Sequence, residues 1–133
     1  MTATNEFFET SKNQMGAKII FFALLFLGIA ARAAFITIES LDMKIYLLPW
    51  YDYIVVHGAW SSLGDEFSNY SPPYLYLLAL ITYSKGFIGK IVAIKLLSIL
   101  FDFINIFFVI RIVRLKTQNN ALSLISGALF FCL

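Results

Sequence analysis

Apolar residues fall in four long runs, separated by brief polar interruptions and one extended polar segment. The first run, 19–38, is apolar apart from Arg32 and Thr37. Wound as a helix it is about 30 Å long, the thickness of a hydrocarbon core, so it predicts a first span. Ala31-Arg32-Ala33 has the small-x-small form of a signal-peptide cleavage site, but the apolar run continues past it, and a retained span is expected. Ser71-Pro72-Pro73 breaks the chain and opens a second span over 72–89, whose cleanly apolar part is short; Lys85 reaches the interface by snorkelling. A third span covers 91–115, with Arg111, Arg114 and Lys116 around its end. The loop Thr117-Gln118-Asn119-Asn120 leads into a fourth run, 121–133, shorter than the roughly 20 residues a crossing needs. The pattern therefore predicts three complete spans and a truncated fourth, the amino-terminal part of a larger module.

The segment 39–71 is the one long loop. It carries Glu39, Asp42, Asp52, Asp65 and Glu66 against Lys44. The positive-inside rule puts Lys12 and Lys18 in the cytoplasm and this loop outside. Beyond the loop, charge does not decide the topology. Three alternating spans leave Arg111, Arg114 and Lys116 outside, whereas a dip and return over 74–83 brings them inside at the expense of Lys85, Lys90 and Lys95. Three complete spans are the expectation. Within the loop, Pro49 and Gly58 bracket a short helix over 49–57, with proline in its first turn and glycine as its stop. Trp50, Tyr53, Ile54 and His57 share one face of it, which suits a helix lying flat at the membrane surface.

Composition agrees with the runs. The chain is 60% hydrophobic and 14% charged, where a soluble domain carries about 25% charged residues. The fold class expected is an all-α, polytopic transmembrane helix bundle with an interfacial helix in its first outer loop. A net charge of +2, scattered along the chain, gives no support for a nucleic-acid partner; membrane lipids are the expected surroundings. One cysteine, Cys132, and one histidine, His57, make neither a disulfide nor a zinc site. Phosphate-loop, His-metal and serine-elbow motifs are missing from the sequence.

The chemistry-bearing candidates cluster near the loop. Asp42, with Glu39 just before it, lies where the first span leaves the membrane. A carboxylate against a low-dielectric wall is a candidate proton acceptor, and Asp42 also reads as the N-cap of a short helix. Asp52 either lines a site or faces water, and Asp65 and Glu66 read as solvated. Arg32, a charge inside a span, binds phosphate, pairs with Glu39 or Asp42, or snorkels. Lys95, Ser98, Asp102 and Asn105 fall on one helical face, as glue between helices or as the lining of a polar cavity. Asn69 and Tyr70 sit in an aromatic segment suited to stacking on sugar rings or to an interfacial aromatic belt. Asn69-Tyr70-Ser71 also fits the N-glycosylation pattern, discounted by the proline that follows.

In combination, Arg32 at the end of the first span, Asp42 in the loop, Pro49-Trp50-Tyr51-Asp52-Tyr53-Ile54, Gly58 and Asn69-Tyr70-Ser71-Pro72-Pro73-Tyr74 entering the second span resemble the amino-terminal part of a GT-C glycosyltransferase. The nearest group is the bacterial relatives of the mannosyltransferases that build glycolipid anchors, over about residues 18–116. The resemblance implies a multi-pass enzyme of the bacterial inner (plasma) membrane. It would move a sugar such as mannose from a polyprenyl-phosphate donor to a lipid or glycan acceptor, with inversion. By resemblance Asp42 is the catalytic base and Arg32 stabilises the departing lipid phosphate. Glu39, Asp52 and Asn69 are candidates for substrate binding, and Trp50, Tyr53 and Tyr70 for stacking on sugar. Some family members use a divalent metal held by a second acid near the first; Glu39 is close, but no clear metal pair is present. The family supplies part of its site from further spans, so a downstream segment or partner membrane subunit is implied. The contrasting reading is a small non-enzymatic multi-pass protein or accessory subunit that docks through the stripe on the third span. A transporter, which would need oligomers to line a path, is a third.

Overall fold

In the computed structural model the backbone is described from residue 2 to 132 and side chains from 13 to 132; the side chain of Lys12 and all of Leu133 lie outside the described residues. The described chain is helical, without strands: α1 (Thr2–Ala34), α2 (Leu48–His57), α3 (Pro72–Thr82), α4 (Lys90–Thr117) and α5 (Asn120–Cys132). Two stretches are long and apolar enough to cross a membrane, Asn13–Ala34 and Lys90–Thr117. Only 11% of the apolar window in each is buried, so these helices are not the core of a water-soluble fold. Phe22, Phe26, Leu27, Phe107, Phe108 and Ile112 all face outward.

The chain divides into two compact units, residues 1–34 with 101–133, and residues 35–100. In the first, α5 packs on α1. Ser123, Gly127, Ala128 and Phe131 form the buried face of α5 at helical spacing. Small residues let the backbones approach, as is usual between helices in lipid. A Cβ on Gly127 would lie 2.5 Å from Ile110 Cγ1, and one on Gly28 would lie 2.6 Å from the Phe131 ring. The residues of α4 in this unit run antiparallel to α1. Asp102 meets Arg32 at one end, and Arg114 lines a cleft with Gln14 and Lys18 at the other.

The second unit is centred on Met43, Trp50, Tyr51, Ile54, Leu78, Ala79 and Ile94. The loop helix starts earlier than the sequence suggested. Chain is already helical at Leu41 and widens into a π turn over Met43–Leu47, closed by Leu48 N–H donating to Met43 O. Pro49 explains the widening, since it has no N–H to offer the previous turn and its ring would crowd the carbonyl four residues back. Gly58, at φ +93°, stops α2 as expected, its N–H donating to Ile54 O at 2.9 Å.

Two span boundaries need correction. α1 ends at Ala34 rather than at residue 38. α3 is 11 residues long rather than filling 72–89, about 16 Å of helix and too short to cross a bilayer. Its end is built from side chains. Thr82 Oγ1 donates to Ala79 O and Ser84 Oγ to Ile81 O, both at 2.7 Å, and Gly86 at φ +97° carries the turn onward. Three span-length helices are therefore not present among the described residues.

Candidate functional site

Asp42 is exposed, and its carboxylate makes no ion pair or hydrogen bond among the described residues. The capping role it might have had belongs to Ser40, whose Oγ accepts from Met43 N–H at 3.2 Å. Asp42 thus stands at the start of the π turn with its side chain uncommitted. It is close enough to Tyr74 to act on that phenol electrostatically.

Tyr74 is one rung of an aromatic ladder. Its ring lies 5.0 Å from Tyr70, Tyr70 lies 5.4 Å from Trp50, and Trp50 lies 5.7 Å from Tyr46. Trp50 is 7% exposed, while Tyr46 and Tyr70 are 43% and 51% exposed. Tyr46 and Tyr70, on either side of Trp50, therefore offer ring surface, and the buried Trp50 anchors them. Tyr53 is different. His57 and Phe67 stack on it at 3.9 and 4.6 Å, so its faces are taken within the fold. Its hydroxyl donates to Asp65 at 3.0 Å, and that bond is the main reason its acidity is weakened, pushing the phenol above its ordinary value. Burial does the same for Tyr51, with Asp52 adding to it. Tyr53 is better placed to brace the loop than to meet a sugar.

Among the remaining candidates, Asp52 pairs with Lys90 at 2.7 Å, on an exposed face. Glu39 pairs with Lys44 at 3.5 Å. Asn69 is exposed and uncommitted, and beside it the Ser68 hydroxyl is buried with no partner among the described residues. Ser68 was not legible as a candidate, since nothing in its neighbours' spacing marks it as buried. No group of three or more His, Cys, Asp or Glu that could hold a metal ion occurs among the described residues. With Glu39 turned to Lys44, the acids here do not make a fitting donor set for a divalent cation.

Arg32 lies in the other unit and its partner is Asp102. Nε and Nη2 donate to Asp102 Oδ2 at 3.0 and 2.9 Å, Nη1 donates to Phe131 O at 2.7 Å, and the guanidinium sits 4.0 Å above the Phe131 ring. The pairing with Glu39 or Asp42 anticipated from sequence is replaced by this one, because folding brings α4 back along α1. The charge of Arg32 is neutralised where it stands, which leaves little of it for a lipid phosphate. The polar stripe on α4 therefore serves as glue at Asp102. In the second unit, Lys95 donates to the carbonyls of Phe35 and Ile38, where the chain leaves α1.

No family model, curated protein or solved structure matches the chain.

Proposed function

We propose that this chain is a multi-pass membrane protein of the GT-C glycosyltransferase type, using a sugar carried on a polyprenyl phosphate. The observation that carries the reading is the uncommitted Asp42 carboxylate, placed directly after a span-length helix and beside the Tyr46–Trp50–Tyr70–Tyr74 ladder. The acceptor hydroxyl attacks the anomeric carbon as its proton passes to Asp42. The bond from that carbon to the donor phosphate oxygen breaks, its electron pair leaves with the lipid phosphate, and the configuration inverts. Tyr46 and Tyr70 present rings for sugar faces, and Asn69 supplies a polar contact.

Topology supports the same picture. Lys18 and Arg114 stand at one end of the first unit, so a single orientation places both on the cytoplasmic side. With α1 crossing the membrane in that sense, residues 39–71, which follow it in the chain, lie on the outer face.

The test is sugar transfer in membranes containing the protein at its full natural length, with labelled polyprenyl-phosphate donors. Asp42→Asn is expected to lower the rate at least about 100-fold, the usual worth of a positioned base, while Asp52→Asn keeps most of it. Full activity in Asp42→Asn would remove Asp42 as the base, and no transfer from any donor would remove the enzyme reading.

One observation favours the second reading, a helix-packing partner of a larger membrane protein. Asn105 is exposed on the apolar part of α4 and makes no hydrogen bond among the described residues. An amide in that setting is commonly satisfied by a neighbouring helix. Loss of co-purification with a partner on Asn105→Leu, with transfer absent throughout, would establish that reading.

A further inference from the structure

The end of the first unit opposite the Arg32–Asp102 pair holds a cleft that the proposed reaction does not use. It is lined by Gln14 and Lys18 of α1, Ile110 and Arg114 of α4, and Asn120 and Ser123 of α5. A second cleft adjoins it through Arg114 and Asn120 and adds Arg111 and Gln118. Lys18 and Arg114 have no acidic partner, and no acidic side chain lines either cleft, among the described residues. The lining therefore combines three cations with amides that donate, while the ends of α4 and α5, which meet at the rim, oppose one another in sign. Position adds a further point. Lys18 immediately precedes the apolar stretch of α1, and Arg111 and Arg114 lie in the last turns of α4, so in a bilayer the cleft sits at headgroup depth. Basic clefts between spans at that depth suit anionic headgroups.

We infer that this cleft is a binding site for a phosphate-bearing anion, supplied by the headgroup of an anionic phospholipid in the same leaflet. The phosphodiester meets Lys18 and Arg114, with Gln14 and Asn120 donating to its remaining oxygens, and the acyl chains lie along the exposed apolar flank of α4. The inference rests on the membrane embedding proposed above and not on the glycosyltransferase reading, and its test involves no sugar transfer.

The full chain is purified into mixed micelles and titrated with phosphatidylglycerol or phosphatidylcholine, and bound lipid is counted by native mass spectrometry. Wild type is expected to prefer phosphatidylglycerol, and the preference is expected to weaken as salt rises. At about fivefold per cation, the Lys18→Gln/Arg114→Gln variant is expected to lose roughly 30-fold in affinity for it. Lys18→Arg/Arg114→Lys, with the charges kept, is expected to stay near wild type. Absence of any preference in the wild type overturns the proposal without recourse to variants. Equal binding by the Gln variant overturns it as well, as does equal loss in both variants with helical content intact. Millimolar inorganic phosphate displacing the lipid would assign the cleft to a soluble phosphate and overturn the lipid source.

Discussion

The pair between Arg32 and Asp102 makes a prediction that can be worked through in energy. Two N–H groups of one guanidinium converge on a single carboxylate oxygen at 3.0 and 2.9 Å, and the two side chains retain 26% and 35% of their exposure. A hydrogen bond between helices in lipid averages about 0.6 kcal/mol and reaches about 1.7, and charge roughly doubles such a bond. The two contacts together are therefore worth about 2 kcal/mol of coupling, or roughly 30-fold in the folded-to-unfolded ratio. Arg32→Leu strands a carboxylate, and Asp102→Leu leaves the guanidinium with carbonyls and the Phe131 ring alone. A fully buried pair broken in this way costs about 3–5 kcal/mol; the partial exposure here reduces each single loss to about 2–4. The Arg32→Leu/Asp102→Leu protein has no charge left to strand and is expected to lose about 2 kcal/mol less than the sum of the two single losses. Reversible unfolding in mixed micelles, followed by circular dichroism, measures all four proteins. If the double variant loses the sum of the two single losses to within about 0.5 kcal/mol, the side chains act independently and the reasoning fails.

Other consequences are simpler to check. Gly127→Val drives side-chain atoms into Ile110, whose Cγ1 already lies 2.5 Å from where a Cβ would sit. The same unfolding experiment is expected to show a loss of about 1–3 kcal/mol, while valine at Gly16, where nothing lies within 4 Å, disturbs no packing. The Tyr53 phenol, held above its ordinary value chiefly by its bond to Asp65, favours the folded state while it is protonated. Because the folded pKa is the higher one, that contribution is complete below pH 10 and fades as pH rises through the folded value. Asp65→Asn is expected to move the Tyr53 titration back down, read as phenolate absorbance with Tyr53→Phe as the subtraction; an unmoved curve would separate Tyr53 from Asp65.

The sequence was most legible where local rules are strong. Pro49 and Gly58 bracket α2 as proline and glycine should, and the loop of residues 117–120 separates α4 from α5. α3 was read too long because its hydrophobicity continues in part to Ile88, whereas its end is set by hydroxyls of Thr82 and Ser84 bonding back to the preceding turn, an effect that hydropathy does not register. The partner of Arg32 was sought among nearby acids, yet it lies 70 residues away; only the return of α4 along α1 brings it within reach. Asp102 stands out in the sequence as part of the polar stripe, but one helical face gives no information about what stands opposite. In the loop, Trp50, Tyr53 and Tyr70 read alike as rings for stacking on sugar; Tyr53 is stacked within the fold on His57 and Phe67, whereas Trp50 and Tyr70 meet at a tilt. The sequence could not separate rings that hold the loop from rings that remain open.

The π turn over Met43–Leu47 has a geometric consequence of its own. A π turn contains one residue more than the α-helical path it interrupts, and each helical residue turns the chain by roughly 100°. Removing a single residue there, such as the outward-facing Ile45, would change the register between the two sides of the turn, although Pro49 would still lack the N–H that an ordinary helical turn needs. Asp42 would then swing by roughly that angle about the local helix axis relative to Trp50 and Ile54. The bearing of the carboxylate is thus fixed by a count of residues rather than by any contact it makes. The segment acts as a compass setting for Asp42.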